Sequence, residues 1–107
     1  MLELNKDNFE KEVKESDKPI IVDYFATWCG PCMAMAPVFE ELSKDYEGKL
    51  KFAKLNVEDN QELAGQFNIR GIPCLVMFNK GEEVDRIVGS LPKEALKEKI
   101  DEILKGI

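Results

Sequence analysis

The segment Ile20–Ala26 constrains the fold of this chain more than any other part of its sequence. It is a run of apolar, β-branched and aromatic residues that only Asp23 interrupts. A strand with one solvent-facing side alternates polar and apolar residues, whereas a nearly continuous apolar run is typical of a strand covered on both faces. The segment therefore predicts a central strand in a sheet with helices packed on both sides.

The rest of the chain alternates between strand-like and helix-like hydrophobic periodicity. The other predicted strands are Leu2–Leu4, Leu50–Val57, Cys74–Phe78 and Glu83–Val88. The predicted helices are Lys6–Glu15, Cys32–Tyr46, Gln61–Phe67 and a last helix whose first turn holds Pro92. The turn Asn79–Gly81 joins the last two strands as a hairpin. This order predicts an α/β fold with a mixed sheet, parallel in its first part and antiparallel at its end.

Composition narrows the classes of protein to which the chain can belong. With 107 residues, 44% of them hydrophobic, we expect residues 1–107 to form a single domain. A net charge of −6 argues against nucleic acid as a partner, because phosphate binding needs a positive surface. No apolar stretch is long enough to cross a membrane, and the N-terminus lacks the features of a signal peptide, so we expect a cytoplasmic protein. The absence of histidine excludes hydrolases of the Ser-His-Asp and Cys-His types.

The residues Trp28, Cys29, Gly30, Pro31 and Cys32 lie between the central strand and the next predicted helix. Two intervening residues let one helical turn bring the two sulfurs within bonding distance. At the helix N-terminus, free N–H groups and the helix dipole stabilise a thiolate, so Cys29 is predicted to be the exposed nucleophile and Cys32 the buried resolving thiol. Gly30 permits the close approach of a substrate backbone, and Pro31 suits the first helical turn. This pattern indicates a redox-active dithiol.

The alternative interpretation is a pair of structural or metal-binding cysteines. The chain has only three cysteines and no histidine. A zinc site needs about four such ligands, so we expect no metal. Thiol–disulfide exchange by the two cysteines themselves needs no tightly bound cofactor, so we expect none.

The sequence from Trp28 to Cys32 resembles the thioredoxin family, and the resemblance covers essentially the whole chain. Further segments match the family in order and spacing: Val22–Asp23, Pro37, Lys54–Asn56, Arg70–Pro73 and Val88–Gly89. The resemblance implies a thioredoxin fold, with a five-stranded mixed sheet in the order 1-3-2-4-5 flanked by four α-helices. It also implies a protein-disulfide reductase that receives electrons from a thioredoxin reductase and acts on disulfide-containing proteins, with a monomer as the default state.

The resemblance also implies roles for two polar residues inside apolar strands. Burial should raise the pKa of Asp23, which suits a general acid or base for the Cys32 sulfur. An exposed Asp23 is the alternative. Lys54 matches the lysine that neighbours this aspartate in the family and would give electrostatic support, although from sequence alone it is equally well a solvated strand residue.

The Ile72-Pro73 bond matches the family's cis peptide, which faces the dithiol. The Ile72 backbone would then pair with an extended substrate. The predicted docking surface around Cys29 consists of Trp28, Gly71, Ile72, Pro73, Val88 and Gly89. For Val88 and Gly89, the end of a strand followed by a turn is an equally good interpretation.

Three positions depart from the family pattern. Phe25 replaces a second tryptophan and Thr27 replaces an acidic residue. Cys74 follows Pro73 where threonine is usual, and it is either a small buried hydrophobic residue or a regulatory thiol.

Two further functions compete with disulfide reduction. A thioredoxin-like chain can be a non-catalytic binding subunit of another protein, which would use the same apolar surface around Trp28. It can also be an oxidant or isomerase, for which a high reduction potential is expected. The Gly30-Pro31 dipeptide favours a reductant by analogy with the family.

Overall fold

A computed structural model describes all 107 residues, Met1–Ile107. Five strands form one sheet in the order β1-β3-β2-β4-β5, as predicted. The strands are β1 (Leu2–Glu3), β2 (Ile20–Phe25), β3 (Lys51–Asn56), β4 (Cys74–Asn79) and β5 (Glu82–Val88). β3 runs parallel to both β1 and β2, whereas β4 is antiparallel to β2 and β5 is antiparallel to β4.

Three α-helices and two shorter helices cover the sheet. The α-helices are α1 (Gly30–Ser43), α2 (Gln61–Gln66) and α3 (Lys93–Lys105). The segment Lys44–Tyr46 is a 3₁₀-helix that continues α1. The first predicted helix differs in kind, because Glu10–Lys14 is a short π-helix preceded by turns rather than a fourth α-helix. Asn5 begins this region by accepting hydrogen bonds from the N–H groups of Asp7 and Asn8.

β2 divides the interior into two hydrophobic clusters, because successive side chains of a strand point to opposite faces. On one face, Ile20, Val22 and Tyr24 pack with residues of the π-helix and α2. On the other face, Ile21 packs with residues of α1 and α3. Ile20–Tyr24 is buried along its whole length. The nearly continuous apolar run is thus explained by a strand covered on both sides.

The chain reverses between β4 and β5 through Lys80 and Gly81. Both have positive φ angles, 56° and 83°. This backbone suits a two-residue hairpin loop, and it favours glycine at the second position. An added Cβ on Gly81 would lie 3.1 Å from the Cα of Lys14, so the loop also packs closely on the π-helix.

Candidate active site

The dithiol lies where β2 leads into α1. Cys29 is the N-cap of α1 with an extended backbone (φ −87°, ψ 106°), and its sulfur accepts a hydrogen bond from the N–H of Cys32 at 3.2 Å. That N–H is one of the first-turn donors that have no partner within a helix. Pro31 lies in the first turn, where a missing N–H costs nothing. Cys29 and Cys32 form a disulfide with their Cα atoms 5.2 Å apart.

Both sulfur-bearing residues are largely covered. Cys29 is 5% exposed and Cys32 is fully buried. The expectation of an openly exposed Cys29 is therefore wrong, although Cys29 remains the more accessible of the two. The reason is local packing: both cysteines form a small cluster with Ala26, bordered by Phe25, Val57 and Ile72.

The loop before β4 closes over the dithiol. The Ile72-Pro73 peptide bond is cis, and the carbonyl oxygen of Ile72 lies 3.8 Å from the sulfur of Cys29. Neither the N–H nor the carbonyl of Ile72 is paired with another backbone group. The loop therefore presents a free backbone edge beside the reactive sulfur.

The end of β5 completes the surface around that loop. Gly89 donates its N–H to the carbonyl of Pro73 at 2.8 Å. An added Cβ on Gly71 would lie 3.4 Å from a methyl carbon of Val88. Val88 is 62% exposed, and Trp28, which directly precedes Cys29, is 71% exposed. The structure thus brings the residues of the predicted docking surface to one end of the sheet.

Asp23 is buried in the middle of β2, with 4% of its surface exposed, so the alternative of an exposed aspartate is wrong. Its Oδ1 has no hydrogen-bond partner. Burial raises the pKa of Asp23 to about 7, and the positive charge of Lys54 limits that rise. Lys54 stands opposite Asp23 on β3, and its ammonium lies 5.9 Å from the centre of the Phe25 ring. The carboxyl group can therefore exchange a proton near neutral pH.

Cys74 lies in a different environment from the dithiol. It begins β4 opposite Tyr24 of β2, on the sheet face that carries the π-helix. It is 1% exposed, and burial raises the pKa of its thiol, while the charge of Arg86 lowers it. The hydroxyl of Tyr24 is also buried and has no partner. These surroundings favour the interpretation of Cys74 as a small buried hydrophobic residue.

One polar residue of this region was not anticipated from the sequence. The carboxylate of Glu58 accepts hydrogen bonds from the N–H of Thr27 at 2.9 Å and from its hydroxyl at 2.8 Å. Glu58 follows the end of β3, the parallel neighbour of β2. The carboxyl ends of parallel neighbouring strands meet at the same edge of a sheet. Because Thr27 follows β2 and Glu58 follows β3, their proximity could have been predicted from the sequence.

The structure contains no group of three or more His, Cys, Asp or Glu side chains placed to hold a metal ion. None of its helices combines the length and the apolar character that crossing a membrane requires.

Comparisons with known proteins agree with this geometry. The family model described as Thioredoxin matches residues 1–102. A protein named Thioredoxin from Chlorobaculum thiosulfatiphilum is 52% identical over 89% of this chain and 88% of its own length. Thioredoxin 2 from Chlorobaculum tepidum is 50% identical over 94% and 92%, and Thioredoxin 1 from a Nostoc species is 45% identical over 90% of each chain.

Proposed function

The chain belongs to the thioredoxin family, and from that premise we propose that it reduces disulfide bonds in other proteins. It is a thiol–disulfide oxidoreductase, with Cys29 and Cys32 as its redox-active pair. The observation that carries the proposal is the position of Cys29 as N-cap of α1, with its sulfur accepting the N–H of Cys32. A sulfur that accepts a hydrogen bond at a helix N-terminus is stabilised as a thiolate, which is the attacking species.

The proposed reaction has two exchange steps. The Cys29 thiolate attacks one sulfur of a substrate disulfide, and the other substrate sulfur leaves as a thiolate. Cys32 then loses its proton and attacks Cys29, which releases the second substrate thiolate. Two electrons have passed to the substrate, and the chain holds the Cys29–Cys32 disulfide seen in the structure.

Asp23 is proposed to take the proton of Cys32 in the second step. Its pKa of about 7 suits a group that must accept and release a proton near neutral pH. Lys54, opposite it on β3, would support the charged carboxylate.

The surface around Cys29 supports a macromolecular substrate. The unpaired backbone of Ile72 is available for hydrogen bonds to an extended segment, in the manner of strand addition. Trp28 and Val88 supply exposed apolar surface in this region. Gly30, Gly71 and Gly89 would allow close approach, while Pro31 restricts the backbone in the first turn of α1 and Pro73 restricts it in the loop before β4.

The oxidised pair must be reduced again before the next cycle. We propose a thioredoxin reductase as the electron donor, as is general for the family, with the whole chain, residues 1–107, acting as one monomeric domain. A cytoplasmic location, which is typical of thioredoxins, is part of this proposal.

Two serine variants test the mechanism. Cys29→Ser should lower the dithiothreitol-driven reduction of insulin to the rate without protein, and near-normal turnover would contradict the role of Cys29. Cys32→Ser should accumulate a mixed disulfide, visible as an adduct on a non-reducing gel. An absent adduct would show that Cys32 does not resolve the intermediate.

The exposed indole of Trp28 also supports a second candidate, a binding subunit that needs no redox chemistry. The double variant Cys29→Ser/Cys32→Ser separates the two. A stable complex that forms equally well with this variant would favour the binding subunit.

A further inference from the structure

The loop that precedes Cys29 is tied to the end of β3 by one side chain. Thr27 has two hydrogen-bond donors, its N–H and its hydroxyl, and both go to the same carboxylate oxygen of Glu58. The next backbone bond toward the core, from the Val57 N–H to the Phe25 carbonyl at 2.8 Å, continues the pairing of β2 with β3. Glu58 thus extends the attachment between the two strands by two residues beyond the sheet.

Glu58 is itself held in place. Its N–H donates to the side-chain oxygen of Asn56 at 2.9 Å. The amide of Asn60 donates in turn to the carbonyl of Asn56 at 3.0 Å. The turn after β3 is therefore ordered by its own side chains, so the carboxylate is aimed at Thr27 before any partner binds.

Thr27 directly precedes Trp28, whose indole dominates the exposed apolar surface. Trp28 is 71% exposed and has little packing of its own to fix its direction. The backbone on its other side is held by the Cys29 N–H, which donates to the carbonyl of Ala26 at 3.2 Å. The Glu58 carboxylate and this turn together hold the backbone on both sides of Trp28, at Thr27 and at Cys29.

We propose that Glu58 is a positioning residue for partner docking, which holds Trp28 in a docking-competent orientation through Thr27. The inference rests on the proposed reduction of protein disulfides and adds a determinant of affinity to it. Glu58 does not touch the reacting sulfurs. Its loss is therefore expected to weaken the binding of a protein substrate and to leave the exchange chemistry intact. Preorganised surfaces bind more tightly because less ordering remains to be done on association.

The test compares a protein substrate with a small one in the same variants. Glu58→Ala should raise KM for insulin about three- to tenfold, the loss expected for one or two exposed hydrogen bonds, with kcat unchanged. The rate constant for the reduced variant with glutathione disulfide, which presents no protein surface to dock on Trp28, should match wild type. Glu58→Gln should retain the wild-type KM, because its amide oxygen can accept both donors of Thr27.

Trp28 provides a direct physical readout, since it is the one tryptophan of the chain. Its fluorescence anisotropy should decay faster in Glu58→Ala than in wild type and Glu58→Gln, which would report a looser indole. Thr27→Val, which keeps the N–H and loses the hydroxyl, should give an intermediate decay, and Thr27→Ser should behave as wild type.

Asp59→Ala is the matched control. It removes the same charge one residue further along the chain, and the side chain of Asp59 is exposed and makes no hydrogen bond to the loop that precedes Cys29. An equal KM increase in Asp59→Ala would overturn the proposal in favour of a general charge effect. Wild-type KM and anisotropy in Glu58→Ala would also overturn it, as would a loss of kcat with both substrates. If wild type itself fails to reduce insulin while it still exchanges with glutathione disulfide, the proposed function fails instead.

Discussion

Two sulfur sites lie on opposite sides of β2 and differ in what surrounds them. At the carboxyl end of the strand, Cys29 accepts the N–H of Cys32 and borders exposed Trp28. On the other side of the sheet, Cys74 stands opposite Tyr24 in the apolar cluster under the π-helix. Both Cys29 and Cys74 are nearly buried, at 5% and 1% exposure. The exposed fraction by itself therefore does not distinguish Cys29 of the redox pair from Cys74.

The distinction comes from the partners that the structure offers to a charged sulfur. Cys29 has a helix N-terminus, which favours a thiolate. Cys74 lies within a strand, where burial raises the pKa of its thiol. The polar neighbours of the two sites are buried alike, since neither Asp23 Oδ1 nor the Tyr24 hydroxyl has a hydrogen-bond partner. They differ in when they titrate, because burial raises the pKa of Asp23 to about 7, whereas it raises the pKa of Tyr24 further above its ordinary value of 10.0.

The largest expected difference between the two sites is in the rate of alkylation. In the reduced protein, iodoacetamide should modify Cys29 rapidly. Cys74 should react at least about a thousandfold more slowly, because the raised pKa of its thiol disfavours the thiolate and because β4, an interior strand of the sheet, must open at a cost of about 5 kcal/mol or more. Mass spectrometry of timed samples measures both rates. Comparable rates would mean that Cys74 is accessible, and the comparison would fail.

Asp23→Asn tests the polar neighbour of the dithiol. The pKa of Asp23 in the folded protein, about 7, lies above its ordinary value of 3.8. The folded state therefore binds this proton more tightly than the unfolded chain. The contribution of Asp23 to stability is therefore most favourable below pH 4 and is lost as pH rises to about 7, a difference of about 4 kcal/mol at most.

The asparagine variant should lack this slope and be more stable than wild type near pH 8. Urea unfolding of the oxidised protein across that pH range measures the effect, and the exposed residue Asp59 supplies the control Asp59→Asn. Parallel pH profiles for wild type and Asp23→Asn would show that Asp23 is ionised in the folded state at all these pH values. In the second exchange step of the proposed reaction, Asp23→Asn should release the reduced substrate from the mixed disulfide more slowly than wild type.

Cys74→Ser should affect stability and leave the reaction unchanged. A buried hydroxyl without an acceptor costs about 1–3 kcal/mol. Insulin reduction should proceed at the wild-type rate, because Cys74 does not belong to the dithiol cluster. Cys74→Ala separates the loss of volume from the burial of a hydroxyl. A change in turnover or in the reduction potential of the Cys29–Cys32 pair would instead support a regulatory thiol.

The smallest effect is expected from Tyr24→Phe. The variant removes a buried hydroxyl that has no partner, so unfolding free energy should stay the same or rise by about 1 kcal/mol. Tyr46→Phe is the matched control. Its hydroxyl donates to the carboxylate of Asp101, and losing that bond should cost about 1.5–3 kcal/mol. A clear loss of stability in Tyr24→Phe would indicate a partner for its hydroxyl.

Hydrophobic pattern predicted most of the fold. The run Ile20–Ala26 marked the central strand because two covered faces leave a clear signal, whereas the strand order, which is confirmed, was implied only by the resemblance to the thioredoxin family. The kind of helix near Glu10–Lys14 was not predictable. An α-helix and a π-helix place apolar residues such as Phe9 and Val13 on similar faces, so the pattern does not separate them.

The site was predictable where a residue type carries the chemistry, as at Cys29 and Cys32. It was not predictable where tertiary packing decides. The cover over Cys29 comes from Val57 and Ile72, which are distant in sequence. The bond from Thr27 to Glu58 spans 31 positions and needs the parallel register of β2 and β3.

The short spacing of the redox pair has a consequence for the stability of the fold. Cys29 and Cys32 are three positions apart, so their bond closes a very small loop. In the chain-entropy model such a loop restricts the unfolded chain by about 2 kcal/mol, against about 4.7 kcal/mol for a loop of about 100 residues. Breaking the bond therefore shifts the folding equilibrium by a factor of about 30, against about 3,000 for the long loop. A fold whose unfolding free energy is about 5 kcal/mol or more can lose this contribution, so the chain can hold or deliver its two electrons with the same sheet and helices.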